Sequence, residues 1–146
     1  FTEPKISYRY RDNREKYPKS LWFRTIRHPL LTDFYKRFYK NGKKIIPEDI
    51  ELDIDRLALA VWVMDDGSLS RKNIDISTYS FTEPEINLLS QALNKNFGLT
   101  ANYYRDRDKG CRMYFRVKET EKLIEIIKPH VIDSMKYKIT LRPRND

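Results

Sequence analysis

The sequence predicts an α+β domain, because helical and strand periodicities alternate along its 146 residues. Eight apolar residues run without interruption from Leu57 to Met64, which is typical of a helix buried on every side. Apolar and polar residues alternate over 5–12 and again over 73–80, as they do in strands with one buried face. Other segments show the spacing of three and four residues that indicates amphipathic helices.

The N-terminal part predicts a hairpin followed by a helix. The strand at 5–12 is expected to be half-buried, with Ile6, Tyr8 and Tyr10 on one side and cationic residues on the other. A second strand is predicted over 20–27. The apolar residues of 29–40 then follow helical spacing, and Asn41-Gly42 is expected to end that helix.

A central helix is predicted over 55–66, with Asp53 and Asp55 as its candidate N-caps. Gly67 is expected to end it as a left-handed C′ residue. Two acids, Asp65 and Asp66, occupy its last turn, where the helix dipole disfavours each by about 0.3–1 kcal/mol. They indicate either a cation at the helix end or two solvated aspartates in a loop.

The C-terminal part repeats the alternation of strands and helices. A strand over 73–80 is followed by a helix that begins at the capping box of Thr82 and closes at Gly98. Two more strands are predicted at about 100–106 and 111–117. The last full helix, 119–128, stops at a proline.

The charge is concentrated at one end. Residues 1–46 hold 13 Lys and Arg against 4 Asp and Glu, a net charge of +9, whereas residues 47–146 hold 16 against 17, a net charge of −1. A basic segment interleaved with Tyr and Trp favours a nucleic-acid partner over a merely solvated arm. We find no apolar stretch of membrane-spanning length and no signal-peptide pattern. The single cysteine suits a reducing compartment, so we expect an intracellular protein of the cytoplasm or an organellar matrix.

A weak internal repeat divides the chain. Tyr10-Arg11-Asp12, then Phe23-Arg24, then a helix parallels Tyr104-Arg105-Asp106, then Phe115-Arg116, then a helix. We therefore expect 1–46 to be the strand-strand-helix end of a first repeat and 47–146 to be a complete repeat with a tail.

The segment Leu59-Ala60-Val61-Trp62-Val63-Met64-Asp65-Asp66-Gly67 resembles the LAGLIDADG motif of homing endonucleases. Its Met-Asp-Asp-Gly ending is similar to the two-repeat, intron-encoded branch typified by the mitochondrial omega-intron endonuclease, and the flanks 43–47, 80–85 and 127–138 extend the resemblance. The resemblance implies αββαββα units whose antiparallel sheets form a saddle on the DNA major groove. Here it implies one complete unit, preceded by the ββα end of another.

The resemblance also implies an active site. Asp66 takes the position that holds a divalent metal, Mg²⁺ or Mn²⁺, and Asp65 contributes mainly its backbone carbonyl. Lys44 and Lys138 take the basic positions of the two halves, where a lysine stabilises the transition state of phosphodiester hydrolysis. Either lysine could instead be an ordinary phosphate or solvent contact.

The polar strand faces supply candidates for contacting DNA phosphates and base edges. These candidates are Arg9, Arg11, Arg24, Asn73, Asp75, Ser77, Tyr79, Arg105, Arg107, Arg112, Tyr114 and Arg116. The facing of 102–107 is ambiguous, because two tyrosines are adjacent there.

The leading hypothesis is a site-specific DNA endonuclease that hydrolyses phosphodiester bonds of a long double-stranded target. The alternative is a non-cleaving binder on the same scaffold, either an intron RNA maturase or a DNA-binding regulator. Val61 replaces the small third residue of the family motif. A single motif supplies one metal-binding acid, so cutting both strands requires a second unit, from a missing N-terminal half or a homodimer partner.

Overall fold

A computed structural model describes residue 3 and residues 5–10, 16–22, 24 and 26–141 of the chain, with the backbone alone at 9, 10 and 16–22. The chain forms two compact units, Phe1–Arg37 and Phe38–Asp146. The predicted boundary between repeats, at 46/47, concerns sequence ancestry and stays a prediction.

The first unit contains an antiparallel hairpin, β1 (Lys5–Tyr10) and β2 (Lys16–Trp22), followed by helix α1 (Pro29–Phe38). The predicted hairpin is confirmed, but β2 starts earlier than the predicted strand, because pairing with β1 sets its ends. Ile6 and Tyr8 are about half exposed, so the predicted half-burial of this strand is wrong for the chain alone. None of the described side chains of this unit is fully buried, since a hairpin and one helix provide no second layer.

The second unit begins with a short hairpin, β3 (Tyr39–Lys40) and β4 (Lys43–Lys44). Asn41 and Gly42 both have positive φ, 52° and 74°, as a type I′ turn requires. The prediction that Asn41-Gly42 ends the preceding helix is therefore wrong: the helix ends at Phe38, and the pair turns the hairpin.

The rest of the second unit is an αββαββα arrangement. It consists of α2 (Arg56–Asp66), β5 (Gly67–Ser70), β6 (Asn73–Ser77), α3 (Glu83–Phe97), β7 (Asn102–Arg105), β8 (Cys111–Phe115) and α4 (Val117–Ile127). The four strands form an antiparallel sheet in the order β5-β6-β8-β7. Two 3₁₀ turns, Lys128–His130 and Asp133–Lys138, follow α4.

The core lies between the sheet and the helices. Strands β6 and β8 contribute Ile74, Ile76, Met113 and Phe115, each fully buried, and the helices cover them with residues including Leu59, Leu93 and Leu123. Inside this core, the hydroxyl of Thr120 accepts a hydrogen bond from the backbone N–H of Ile74 and donates one to the carbonyl of Phe115. The period-two alternation of the sequence thus sets one face of the sheet against the helices.

Most local predictions for this unit are confirmed. Thr82 and Glu85 form the capping box of α3, and Gly98 closes that helix in the left-handed conformation at φ 62°. Strand β5 was not predicted, because Gly-Ser-Leu-Ser has too few apolar residues for a periodicity to show. Val117 was placed on the last strand but begins α4, where it is 39% exposed.

Helix α2 starts close to the predicted position. Of the two candidate N-caps, Asp55 is the one in place: its carboxylate accepts a hydrogen bond from the backbone N–H of Ala58 at 2.7 Å. It is not buried on every side: Leu57 is 53% and Val61 45% exposed, on one stripe at a spacing of four residues. Gly67 is extended, at φ −78° and ψ 148°, so the predicted left-handed C′ residue is wrong. The glycine is needed for a close approach, since a Cβ there would overlap the carbonyl oxygen of Val63.

Among the described residues, no helix is long and apolar enough to cross a membrane.

Candidate active site and nucleic-acid interface

The C-terminal end of α2 presents two exposed acids, Asp65 and Asp66. The ammonium of Lys138 reaches this end from the last 3₁₀ turn. It donates hydrogen bonds to the backbone carbonyls of Met64 and of Asp65, the latter at 3.2 Å. The sequence left open a cation at the helix end or two solvated aspartates. The structure brings Lys138 to this end, where it offsets the negative end of the dipole, and both aspartates are exposed.

The oxygen donors at this end fit a hard divalent cation. The exposed carboxylate of Asp66 and the carbonyl of Asp65 are the ligand types that Mg²⁺ accepts. The described part of the chain contains no group of three or more His, Cys, Asp or Glu side chains placed to hold a metal. Any ion here would therefore take its remaining ligands from water, a phosphate or a second unit.

Lys44, the other predicted basic residue, is exposed in β4. The segment that follows is anchored by a hydrogen bond from the backbone N–H of Ile46 to the Glu85 carboxylate, at 3.1 Å. Lys44 thus belongs to the β3–β4 hairpin, whereas Lys138 lies at the C-terminal end of α2. The structure gives the two lysines different surroundings.

The face of the sheet opposite the core carries predicted DNA-contacting residues in register. Asp75 of β6 pairs across the sheet with Tyr114 of β8, and Ser77 pairs with Arg112. Asn73 lies two residues before Asp75, on the same face. We call the set Asn73, Asp75, Ser77, Arg112 and Tyr114 the polar face.

Arg112 is the most tightly held side chain of the polar face. Its guanidinium donates to the hydroxyl of Ser68 at 2.6 Å and to that of Tyr79 at 3.1 Å, and it lies 5.9 Å from the Tyr79 ring centre. The Tyr79 hydroxyl in turn donates to the Asp106 carboxylate at 2.7 Å. The Nε of Arg112 and the amide oxygen of Asn73 are buried without a hydrogen-bond partner among the described residues, so both retain unused hydrogen-bonding capacity.

The electrostatics of the polar face follow from its partial burial. Burial raises the pKa of the Asp75 carboxyl, and the nearby Arg112 guanidinium only partly opposes the shift. Burial tends to lower the pKa of Arg112, but its hydrogen bond to Tyr79 and the charge of Asp75 leave that pKa raised. An arginine held beside a partly buried acid offers one donor group and one acceptor group at the sheet surface.

The structure does not bring all the predicted DNA-contacting residues to this face. Arg105 pairs with Cys111 in the register, on the core side of the sheet, and its guanidinium bonds the Glu83 carboxylate at 3.2 Å. Arg107 and Arg116 are exposed just outside the strands, and Arg24 is exposed in the first unit. The side chain of Arg9 and the whole of Arg11 lie outside the described residues.

Two residues in contact with the polar face were not among the candidates predicted from the sequence. Ser68 lies on β5, the strand that no periodicity predicted, and is found only through its bond with Arg112. Tyr104 pairs with Arg112 across the sheet, and its ring lies 5.8 Å from that of Tyr114. The register resolves the ambiguity at the adjacent tyrosines, because Tyr103 pairs with the buried Met113.

Comparison with known proteins identifies this arrangement. The model of the LAGLIDADG DNA endonuclease family matches residues 1–123. The chain belongs to this family. The LAGLIDADG fold is confirmed as well: the homing endonuclease I-WcaI, solved bound to its DNA recognition sequence, superimposes with a TM-score of 0.81 at 26% identity, covering 97% of this chain and 66% of that one.

The curated relatives include an mRNA maturase and a DNA endonuclease. A cytochrome b mRNA maturase bI2 of Debaryomyces hansenii is 32% identical over 137 residues, covering 93% of this chain. A probable intron-encoded DNA endonuclease 3 of Mycosarcoma maydis is 34% identical over 128 residues, covering 83% of this chain and 93% of the relative. The chain spans 52% of the length of the maturase. In the LAGLIDADG frame, α2 is the motif helix and the sheet β5-β6-β8-β7 is the sheet of its unit.

Proposed function

We propose that this protein is a site-specific homing endonuclease that hydrolyses phosphodiester bonds in double-stranded DNA with the help of a divalent metal. The observation that carries the proposal is the carboxylate of Asp66, exposed at the end of the motif helix beside a lysine. A protein that only binds nucleic acid gains nothing from acids close to a phosphate, since the two charges repel.

The residues at the end of α2 have separate proposed roles in hydrolysis. Asp66, with the carbonyl of Asp65, would hold Mg²⁺ or Mn²⁺, which when bound activates water and offsets charge developing on the phosphate. Lys138 supplies a positive charge beside the scissile phosphate, which favours the more negative transition state. Lys44 is proposed as the corresponding basic residue of the other half.

The polar face supports DNA as the substrate. Arg112 is held by two hydroxyls, and each of its terminal nitrogens keeps a second N–H for a base edge or a phosphate. I-WcaI was solved with its DNA recognition sequence, and we infer the same kind of partner for this chain. The proposed contacts are Asn73, Asp75, Ser77, Arg112 and Tyr114 on the sheet, Tyr79, Arg107 and Arg116 just outside its strands, and Arg9, Arg11 and Arg24 in the N-terminal part of the sequence. Arg105 leaves the set, because it lies on the core side.

We also propose a second LAGLIDADG unit as a partner, within the same polypeptide or as a second copy. The exposed stripe of Leu57 and Val61 on the motif helix supports this, because such apolar surface is stabilised by being covered. A second unit would also provide the second metal-binding acid that cleavage of both strands needs.

A second candidate function is RNA splicing assistance. It is favoured by the mRNA maturase of Debaryomyces hansenii, which is about as similar to this chain as the DNA endonuclease of Mycosarcoma maydis. In that case the polar face binds RNA or DNA without cleavage, and Asp66 has no role in chemistry.

The Asp66→Asn variant tests the proposal. The substitution keeps the shape of the side chain but removes the charge that holds a hard cation, so we expect cleavage in magnesium to fall by at least about a hundredfold. DNA binding in calcium should persist or tighten. Strand cleavage and gel-shift binding on the native target measure the two effects, with the second unit supplied by the same polypeptide or by a second copy.

Asp65→Asn is the matched control, because its proposed contribution is a carbonyl that the substitution leaves in place. It should retain most of the cleavage. If Asp66→Asn still cuts the strand assigned to this unit, the metal assignment is wrong. If the parent protein cuts no DNA but promotes splicing of its intron RNA, the maturase function replaces the endonuclease.

A further inference from the structure

The end of the motif helix concentrates negative charge around one ammonium. The helix dipole and two carboxylates meet there, and α2 has no basic residue in its own last turn. Lys138 comes from another part of the chain, and its Nζ donates to the carbonyls of Met64 and Asp65. Its tether is firm, because the next residue, Ile139, is buried and bonded to the carbonyl of Lys136.

One atom connects this lysine to the proposed metal. The carbonyl oxygen of Asp65 accepts from Lys138, and the same oxygen is the backbone ligand proposed for the divalent cation. A carbonyl has two lone pairs, but two cations drawn to one oxygen repel each other. The neighbouring Lys136 does not compete for this position, since its ammonium bonds the Asp133 carboxylate at 2.6 Å.

We propose that Lys138 is the resident counter-ion of the motif helix and holds metal affinity down until a DNA phosphate draws its ammonium away. This inference rests on the proposed function, and it makes metal loading contingent on substrate. Without DNA, the ammonium stabilises the helix end and a divalent ion binds weakly. With DNA, the phosphate takes over the ammonium, and the helix end becomes free for the metal.

The experiment measures calcium binding by titration calorimetry in the absence of DNA. Lys138→Met removes the competing charge and keeps an unbranched side chain of similar length. Repulsion between a monovalent and a divalent cation about 6 Å apart, at the dielectric constant of water, corresponds to roughly a tenfold change in affinity. We therefore expect Lys138→Met to bind calcium at least about tenfold more tightly than the parent.

The chain provides a matched control in Lys122. Its ammonium also reaches a helix end, donating to the carbonyl of Gly98 at 2.5 Å after α3. The proposed metal position is at the other helix, so Lys122→Met should leave calcium affinity unchanged. Lys138→Arg keeps the positive charge and should keep affinity near that of the parent, which separates the charge effect from any disturbance of the fold.

A second readout is thermal unfolding. Lys138→Met should unfold at a lower temperature than the parent without metal, and calcium should restore more of its stability than it adds to the parent. Suppose that Asp66→Asn abolishes calcium binding but Lys138→Met binds calcium no more tightly than the parent. This result overturns the inference about Lys138 and leaves the proposed metal site standing. If Asp66→Asn binds calcium as tightly as the parent does, the metal assignment is overturned, and the inference about Lys138 is overturned with it.

Discussion

A Cβ atom placed on Gly67 would overlap the carbonyl oxygen of Val63 and come within 3.0 Å of the Val63 Cγ1. The motif helix runs straight into strand β5 at this residue, without an intervening loop. The chain needs glycine here for space, because its φ of −78° is available to any residue. Gly98 differs, since its left-handed φ of 62° is what excludes other side chains.

Substitutions at the two glycines separate these reasons. Gly67→Ala should lower the free energy of unfolding by about 1–3 kcal/mol through overpacking, and Gly67→Asn should cost at least as much. Gly98→Ala should cost about 1–2 kcal/mol, whereas Gly98→Asn should recover much of that loss, because asparagine tolerates the left-handed conformation. Urea unfolding measures all four. Recovery by asparagine at position 67 would contradict the steric explanation.

The capping residues and the acids of α2 show how much of the local structure the sequence could predict. Asp55 and Thr82 are capping residues whose partners are neighbours in the chain. Local rules therefore predicted Thr82 and limited the cap of α2 to Asp53 or Asp55. The acids at the end of α2 indicated a cation, yet the cation is a lysine 73 residues further along from Asp65. A bond between such distant residues depends on the tertiary fold, which residue patterns alone do not determine.

Among the secondary-structure elements, strand β8 carries Arg112, whose hydrogen-bond network draws on several segments of the chain. Ser68 contributes from β5, Tyr79 from the segment after β6, and Asp106 from the loop after β7. Three segments therefore orient one guanidinium. Its side chain loses little further freedom on binding, which favours specific contacts.

Arg112→Lys tests this role against Arg105→Lys. Lysine keeps the charge but lacks the planar fork, so Arg112→Lys should lose about 1–3 kcal/mol of discrimination at one or two base pairs. The salt dependence of binding should stay nearly unchanged, because the number of charges is the same. Arg105→Lys, on the core side of the same sheet, should leave discrimination intact. Binding to a library of single-base target variants measures both, and equal losses for the two variants would refute the assignment of faces.

The element scale explains which strands could be predicted. Residues 73–77 and 111–115 alternate strictly, and both form strands with a buried and a polar face. Strand β5 has no such alternation and exists because it pairs with β6. The start of β2 likewise follows its pairing with β1. Pairing is a property of two segments together, so the periodicity of one segment does not reveal it.

For the molecule as a whole, two surface features suit binding partners: the positive charge of the N-terminal part and the apolar stripe of α2. The net charge of +9 over residues 1–46 suits a polyanion. The stripe of Leu57 and Val61 is apolar and about half exposed, so charged side chains at these two positions reach solvent.

The double substitution Leu57→Glu with Val61→Glu should therefore leave the fold of this chain intact and prevent pairing of motif helices. In sedimentation analysis, we expect the parent to associate or to have limited solubility, and the variant to be a soluble monomer. Circular dichroism should be the same for both. The double substitution Glu121→Gln with Glu125→Gln, on the exposed side of α4, is a control that should not alter association. A parent that is monomeric and freely soluble would contradict the prediction.

The two faces of β6 and β8 have a consequence for the history of such a protein. Ile74, Ile76, Met113 and Phe115 maintain the fold from one side of the sheet, while the residues between them point to the other side. Substitutions on the polar face therefore leave the buried packing untouched, and those that spare the network around Arg112 carry little cost in folding. A lineage with this sheet can change its polar face while its fold persists. Under the proposed function, new DNA targets would then become accessible one substitution at a time.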